Sequence, residues 1–188
     1  MPNCKSLFTI ASLAFAAITS TLSAANPVVV VSVPDQRLAL VENGLTVAQF
    51  PVSTSKFGLG DRPRSYATPL GMMEVAAKIG DHAPLGAVFK GRRPTGEVLR
   101  PDAPGRDPIV TRILHLRGLE AVNAGAFGRG IYIHGTAEER TIGRPASYGC
   151  IRMRSRDVVR LFDAVAVGTK IAVMNAPMSQ VFRHFAAN

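Results

Sequence analysis

The sequence predicts one mostly-β domain with a single main helix. Short β-branched and apolar runs separated by turn signals recur along most of the chain, whereas one segment in the C-terminal third has the apolar spacing of an amphipathic helix. With 188 residues the chain is long enough to bury the core of one domain, and no internal repeat is visible.

The first predicted element is an antiparallel meander of three strands. Residues 27–33 form a β-branched run, residues 37–41 alternate apolar and polar side chains, and residues 45–52 continue as a third strand. Asn43 and Gly44 are typical of a hairpin turn between the second and third strands. Tight turns between consecutive strands indicate antiparallel pairing instead of a βαβ unit.

A long irregular segment is predicted in the middle of the chain. A polar loop over residues 53–66 and a turn at residues 67–71 precede a strand at residues 72–79, and residues 86–90 form a shorter strand. Residues 91–108 hold four prolines and three glycines, which disfavour regular structure. Because long loops in compact domains are usually functional or disordered, our hypothesis is that this segment covers a site as a lid.

The main helix is predicted after Cys150. Ser155 is its expected N-cap, Asp157 lies in the first turn, and Gly168 is expected to close it. The apolar stripe has the spacing i, i+3, i+4, i+7 and consists of Val158, Leu161, Phe162 and Val165.

The remaining strands lie on both sides of this helix in the sequence. They are predicted at residues 109–116, 131–134 and 170–174, while residues 177–188 show little pattern. We therefore assign residues 26–176 to one folded domain and residues 177–188 to a C-terminal tail.

Residues 1–25 are predicted to be a secretory signal. Lys5 gives a basic start, residues 7–18 form an apolar run, and small residues follow before a cleavage point near Asn26. The apolar run is too short to span a membrane comfortably, so we expect an exported protein, periplasmic or wall-associated, with no stable membrane insertion after cleavage. An uncleaved membrane anchor is the alternative.

The charge balance is strongly basic. The formal net charge of +9 becomes +8 when the signal and its one lysine are removed. An acidic cell-wall polymer best fits a basic exported domain, although solubility alone is an alternative reason for the charge. No nucleic-acid partner is expected, because the arginines are scattered and are not interleaved with aromatic side chains.

The predicted chemistry lies in residues 131–153. His134 is followed by Gly135, and Cys150 follows Ser-Tyr-Gly sixteen positions after the histidine. Without the signal, Cys150 is the only cysteine, which indicates a reactive thiol instead of an intramolecular disulfide. At a reference pKa of about 8.5 a thiol is about 3% thiolate at pH 7, and an imidazolium that lowered this pKa to about 6 would raise the fraction to about 90%.

These residues resemble the L,D-transpeptidase catalytic domain, or YkuD, family. The pattern His-Gly…Ser-x-Gly-Cys-x-Arg over residues 134–152 and Ala-Thr-Pro-Leu-Gly at residues 67–71 carry the resemblance, which extends from about Val28 to Met174. The family fold implied is a β-sandwich in which the histidine and the cysteine converge in one cleft. Three positions depart from the common family pattern: Tyr148, Ser155 and His115.

The resemblance implies acyl transfer on peptidoglycan stem peptides, which would be both donor and acceptor. Cys150 would attack the carbonyl of the third residue of a tetrapeptide stem and form a thioester while D-Ala leaves, with His134 as base and then acid. An acceptor amine would give a 3→3 crosslink or attach a wall protein. Two alternatives stay open: an L,D-carboxypeptidase that uses water as acceptor, and a silent wall-binding domain with the same fold.

Four residues around the nucleophile complete the predicted site. The backbone N–H groups of Tyr148, Gly149 and Cys150 are the expected oxyanion donors. Arg152 either binds the carboxylate of the donor stem or pairs with an acid on the surface. Ser147 either hydrogen-bonds near the histidine or starts the turn, and the Tyr148 ring is a candidate to line the acceptor side.

No metal site and no cofactor are expected. Zinc needs three or four convergent ligands, which one mature cysteine and the absence of a His-Glu-x-x-His motif do not supply. His82, His115 and His184 are predicted to be structural or surface histidines. His115 is of most interest, because its strand could neighbour the strand that carries His134.

Overall fold

The protein consists of one curled mixed β-sheet with helices packed against it. The structure, a computed structural model, describes residues 26–186, with side chains up to residue 183, so the predicted signal with Cys4 and the side chain of His184 lie outside the described residues. The strands are β1 (Val28–Ser32), β2 (Arg37–Glu42), β3 (Leu45–Pro51), β4 (Gly71–Ile79), β5 (Ala87–Lys90), β6 (Arg93–Val98), β7 (Ile109–Gly118), β8 (Tyr132–Thr136), β9 (Ile151–Met153) and β10 (Lys170–Met174). The α-helices are α1 (Ser155–Ala164) and α2 (Met178–Ala186).

The predicted three-stranded meander is confirmed. β1 pairs antiparallel with β2, and β2 pairs antiparallel with β3. Asn43 and Gly44, with φ angles of 50° and 76°, form the two-residue turn between β2 and β3.

β10 joins the two halves of the sheet. The strand order is β3-β2-β1-β10-β4-β7-β5-β6, and β8 pairs with β7 and with β9. β10 lies parallel to β1, with Lys170 opposite Val28, and antiparallel to β4, with Ile171 opposite Met73. The first strand of the domain is therefore joined to β4 through the last strand.

The sheet curls until its two ends meet. Ser53, two residues after β3, exchanges both backbone hydrogen bonds with Arg152 of β9, each 2.9 Å long. Apolar side chains from β1 and β2 consequently share one core with those of β8, β9 and α1. The fully buried members of this core include Val29, Leu38, Ile133, Ile151 and Leu161.

The fold class is confirmed as mostly β with one main helix after the cysteine.

Helix α1 has the predicted apolar face but different ends. Its N-cap is Arg154, and Ser155 is the first helical residue, so the predicted serine cap is wrong. The N–H of Ser155 donates instead to Oε1 of Glu139 at 2.8 Å, which gives the helix a cap from a distant part of the sequence. The helix ends at Ala164, before the expected Gly168. The buried stripe contains the predicted Val158, Leu161 and Phe162.

The segment predicted to be irregular between residues 91 and 108 contains strand β6, and that prediction was wrong. Gly91 and Arg92 both have positive φ angles, 56° and 67°, and form the tight turn between β5 and β6. Pro94 is compatible with β6 because this strand lies at the edge of the sheet, where one side needs no backbone donor.

Helix α2 occupies the predicted patternless tail, and that prediction was also wrong. The N–H of Met178 donates to Oδ2 of Asp35 at 2.6 Å, and Val181 is fully buried against β1 and β10 residues. Nine residues are too few for a stable isolated helix, so packing on the sheet maintains α2. No helix within residues 26–186 is long and apolar enough to cross a membrane.

Lys78 of β4 anchors the end of α1. Its Nζ donates to the carbonyl oxygens of Phe162 and Val165, each at 2.6 Å, and lies 4.3 Å from the centroid of the Phe162 ring. A cation that satisfies the last carbonyls of a helix also interacts favourably with the helix dipole.

We expect Lys78→Met to lower the free energy of unfolding by about 1–3 kcal/mol, because two helix-end carbonyls lose a charged donor. Urea denaturation followed by circular dichroism measures the change. Lys90→Met, which removes an exposed lysine from β5, is the control and should change the free energy by less than about 0.5 kcal/mol. Equal losses in the two variants would contradict an anchoring role for Lys78.

Candidate active site

Parallel pairing of β8 with β9 places His134 and Cys150 on the same face of the sheet. His134 is opposite Arg152, and Ile133 is opposite Ile151. Because side chains alternate along a strand, Ile133 and Ile151 point into the core, whereas His134 and Cys150 point away from it. Strands about 4.8 Å apart with a rise of about 3.3 Å per residue give a diagonal separation of about 8 Å between the two Cα atoms. Side chains can close that distance.

A hydrogen bond fixes the tautomer of His134. Its Nδ1 lies 2.8 Å from the carbonyl oxygen of Gly135, and a carbonyl can only accept, so Nδ1 carries the proton. In the neutral ring the other nitrogen, Nε2, is therefore the proton acceptor. The side chain is only 6% exposed. Burial lowers the pKa of His134 to about 4, against smaller opposing effects of the Gly135 carbonyl and Asp107.

The Cys150 thiol is protonated at rest. Burial raises the pKa of the Cys150 thiol to about 11, although the Tyr132 N–H and the cations Arg129 and Arg152 act in the opposite direction. The Sγ atom lies 3.5 Å from the carbonyl oxygen of Gly130. A neutral thiol and a neutral imidazole differ from the thiolate–imidazolium pair that a thiol pKa of about 6 would give. Burial outweighs the nearby charges.

The turn that presents Cys150 is held by its own side chains and by the residues before β4. Ser147 Oγ donates to the carbonyl of Cys150 at 2.5 Å and accepts from the N–H of Gly149 at 3.2 Å. Thr68 Oγ1 donates to the Gly149 carbonyl at 3.0 Å. Of the two roles considered for Ser147, the structure shows it shaping the turn. The Gly149 amide is already engaged, which leaves those of Tyr148 and Cys150 as candidate oxyanion donors.

Arg152 lies in a buried ionic network. Its guanidinium pairs with Asp107, lies 3.7 Å from Glu138, and donates to Thr141 Oγ1 at 3.1 Å. Asp107 also accepts from Thr136 Oγ1 on β8. Arg152 does pair with an acid, but it is buried and not on the surface as that alternative had it. The network links β9 to the segment before β7.

Residues 99–108 are tied down beside this network. The N–H of Asp102 donates to the Ala137 carbonyl at 2.6 Å, and Asp102 Oδ1 accepts from the N–H of Arg140 at 3.0 Å. Together with Asp107, these contacts hold the segment next to the strand that carries His134. Whether it covers the bound substrate as a lid stays a hypothesis.

Cys150 lines a cavity of about 380 Å³. The lining residues are Pro63, Arg64, Tyr66, Gly128, Arg129, Gly130, Ile131, Tyr148 and Cys150. Arg129 was missed by the sequence analysis, because its partners lie more than sixty positions away and no local motif marks it. Its Nη1 donates to Asp61 Oδ1 at 2.6 Å, and its Nη2 donates to the Ala67 carbonyl at 2.7 Å.

Three exposed aromatic rings surround one side of this cavity. Tyr148 packs against Phe57 and Tyr66, with centroid separations of 5.2 Å and 5.9 Å. Lys56 Nζ lies 4.5 Å from the Tyr148 centroid and donates to its hydroxyl at 3.1 Å. Tyr148 is 59% exposed, so its ring can contact a bound molecule, as its proposed place on the acceptor side requires.

His115 is a structural histidine close to the site. β7 neighbours β8, and His115 lies opposite Tyr132 in their register. Its ring stacks on Phe127 with centroids 4.1 Å apart, and Nε2 donates to the Phe127 carbonyl at 3.1 Å. Burial lowers the pKa of His115, which keeps the ring neutral. His82 is by contrast an exposed residue, 3.4 Å from Asp81.

The comparisons with known proteins agree with this site. The family model described as YkuD, L,D-transpeptidase catalytic domain, matches residues 26–173. A probable L,D-transpeptidase, ErfK/SrfK of Salmonella typhimurium, is 30% identical over 158 residues, covering 80% of this chain and 45% of that protein. A putative L,D-transpeptidase, YqjB of Bacillus subtilis, is 45% identical over 49 residues, covering 26% of this chain and 28% of that protein. A buried histidine on β8 and a half-buried cysteine directly before β9 are residue types suited to acyl transfer, and the chain belongs to the L,D-transpeptidase catalytic domain family, a family of enzymes.

Solved structures show the same fold. An L,D-transpeptidase from Xylanimonas cellulosilytica has a TM-score of 0.53 at 20% identity, covering 81% of this chain and 62% of that one. L,D-transpeptidase 3 from Mycobacterium tuberculosis, in complex with a faropenem-derived adduct, has a TM-score of 0.51 at 19% identity, covering 79% of this chain and 60% of that one. The chain spans less than two thirds of the length of each of these relatives.

We expect Gly149→Ala to destabilise the fold more than Gly143→Ala. Both glycines have positive φ angles, 115° and 98°, so either alanine strains the backbone. A Cβ at Gly149 would also lie 3.3 Å from the Ala67 carbonyl and from Ile131 Cδ1, whereas nothing lies within 4 Å of a Cβ at Gly143. The difference in unfolding free energy should be about 1–3 kcal/mol by urea denaturation. No difference would show that the nucleophile turn tolerates the methyl group.

We expect iodoacetamide to alkylate Cys150 at least about 100-fold more slowly at pH 7 than it alkylates glutathione. A pKa of about 11 leaves about 0.01% thiolate at that pH, compared with about 3% for an ordinary thiol. The rate should keep rising up to about pH 11. Intact mass gives the rates, and Cys4→Ser in the full chain removes labelling at the other cysteine. An alkylation rate that stops rising near pH 6 would instead show a preformed thiolate–imidazolium pair.

Proposed function

We propose that this chain is a peptidoglycan L,D-transpeptidase that works through a Cys150 thioester. The family acts on peptidoglycan stem peptides. The observation that carries the proposal is the orientation of His134. Its Nδ1 proton is committed to the Gly135 carbonyl, which leaves Nε2 on the face of the sheet that also carries Cys150. A base and a thiol arranged in this way can perform nucleophilic catalysis.

In acylation the thiol proton passes to Nε2 of His134 as the sulfur attacks the carbonyl carbon of the third stem residue. A tetrahedral oxyanion forms. Collapse of this intermediate breaks the bond to D-Ala, whose amine takes the proton from Nε2. The products are a thioester on Cys150 and free D-Ala, with His134 neutral again.

Deacylation repeats these steps with an acceptor amine. The amine attacks the thioester carbonyl and gives a proton to Nε2, and the sulfur leaves and regains that proton. The acceptor is a second stem peptide or a wall protein. The exposed Tyr148 ring, at the rim of the Cys150 cavity, is our candidate contact for it.

The buried resting state means that proton transfer accompanies attack. With the pKa of the thiol raised to about 11 and that of the imidazole lowered to about 4, a separated ion pair is costly before substrate binds. The oxyanion is then stabilised by the N–H groups of Tyr148 and Cys150, each of which would contribute about 10²–10³ in rate. Arg152 supports this site through Asp107 and β9, so a second group must bind the donor carboxylate.

The family places the reaction outside the cytoplasm, and we propose an exported protein associated with the cell wall. The secretory signal assigned to residues 1–25 and the strongly basic net charge of +9 support this location.

The test is the intact mass of the protein after incubation with a disaccharide-tetrapeptide. We expect an adduct on the wild-type protein, release of D-Ala, and a 3→3 dimer when an acceptor amine is present. Cys150→Ala should form no adduct. His134→Gln should slow adduct formation by about 10²–10⁴-fold, while the exposed His82→Gln should not change it.

Two results would change the assignment. D-Ala release that yields only tripeptide, and that added amine does not increase, would make the protein an L,D-carboxypeptidase. Stem-peptide binding without an adduct or D-Ala release would make it a silent wall-binding domain. A carbapenem is a second acyl donor for the mass experiment, suggested by the faropenem-derived adduct of the mycobacterial relative.

A further inference from the structure

The cavity at Cys150 is positively charged. Two of its nine lining residues are arginines, Arg64 and Arg129, and none is an acid. A cavity lined by charges of one sign attracts ligands of the opposite sign. The group that reacts with Cys150 therefore enters a site suited to an anion.

The two arginines differ in what their guanidinium groups already bind. Arg129 donates to Asp61 and to the carbonyl oxygens of Gly60 and Ala67, and its side chain is only 14% exposed. Its charge is compensated by Asp61, and it forms part of the cavity wall. Arg64 is exposed and has no hydrogen bond or ion pair with any of the residues that the structure describes. Its donors are available to a ligand.

The loop holds Arg64 at the cavity despite an unfavourable backbone conformation. Arg64 and Tyr66 have φ angles of 59° and 54°, in the left-handed region that favours glycine. Ser55 Oγ fixes the loop by donating to the Tyr66 carbonyl at 2.5 Å, and the N–H of Ser65 donates to the Arg62 carbonyl at 3.2 Å. Non-glycine residues persist in such conformations when the surrounding structure determines them, and they cluster at functional sites.

The proposed reaction brings a carboxylate into the cavity that Arg64 and Cys150 both line. In a tetrapeptide donor the attacked carbonyl belongs to the third residue, and the terminal carboxylate belongs to the next one. One residue spans at most about 3.6 Å, so with the carbonyl at Cys150 the terminal carboxylate lies within the same cavity. A guanidinium can bind such a carboxylate through two parallel hydrogen bonds.

We propose that Arg64 binds the free C-terminal carboxylate of the acyl donor and so selects tetrapeptide stems over amidated or longer ones. The inference rests on the proposed function and adds to it the residue that recognises the end of the donor. It also supplies the carboxylate-binding group that Arg152, paired with Asp107, does not.

The experiment compares three donors: the tetrapeptide, its C-terminal amide, and a tetrapeptide amidated only on the side-chain carboxylate of the third residue. For the wild-type protein, kcat/KM for D-Ala or D-alaninamide release should be about tenfold higher with the free terminus than with the terminal amide. Tenfold lies between the few-fold effect of an exposed ion pair and the hundredfold effect of a buried one. Arg64→Gln should reduce this ratio to near one, and Arg64→Lys should restore part of it.

Arg62→Gln is the matched control. It removes the same charge from the same loop, but Arg62 does not line the cavity, so the ratio should stay at the wild-type value. Thermal denaturation checks that each variant is folded.

Each outcome supports or overturns the inference. A ratio unchanged by Arg64→Gln, or equally reduced by Arg62→Gln, would overturn it while leaving the transpeptidase assignment in place. Arg64→Gln could instead abolish a preference for the free side-chain carboxylate of the third residue and leave the preference for the free terminus. That result would place Arg64 on the third residue and overturn the terminal assignment. Failure of the wild-type protein to release D-Ala from any donor would overturn both this inference and the proposed function.

Discussion

The register between β8 and β9 is the constraint on which the site depends. β9 has only three residues, and it is held by β8 on one side and by the two hydrogen bonds to Ser53 on the other. A slip of one residue would move Cys150 into the core and bring Ile151 to the site, because strand side chains alternate between faces. The paired Arg152 and Asp107 reinforce the same register from outside the sheet. Cys150 is thus positioned by backbone pairing together with the side chains that hold its turn.

Burial determines how this site handles protons. It raises the pKa of Cys150 and lowers that of His134, so both groups are neutral at rest and neither attracts solvent ions or oxidants as a thiolate would. In the proposed reaction the thiol of Cys150 therefore loses its proton only when a substrate is bound. The carbonyl of Gly135 contributes by fixing the imidazole tautomer, so that the single available nitrogen of His134 is the one that exchanges protons.

Local sequence signals predicted the meander, the main helix and the paired motif that carries His134 and Cys150, because each is encoded within a short stretch. Contacts between distant segments were not predictable in the same way. Asp107 meets Arg152 across 45 positions, and Asp61 meets Arg129 across 68. Helix α2 begins at a hydrogen bond to Asp35, 143 positions away, although its apolar spacing is itself that of a helix. The rise in the pKa of Cys150 could not be predicted from the sequence either, because it depends on burial that only the folded core creates.

The position of β10 has a consequence for the timing of folding. Before β10 is inserted, β1 of the meander and β4 each have an open edge, although Ser53 joins the meander to β9. A chain that emerges from its N-terminal end keeps these edges open until residue 170 is reached, and the pairing of Val28 with Lys170 must close a loop of more than a hundred residues. Such distant pairing is slow. Until this last strand pairs, the open edges of β1 and β4 can pair with other chains.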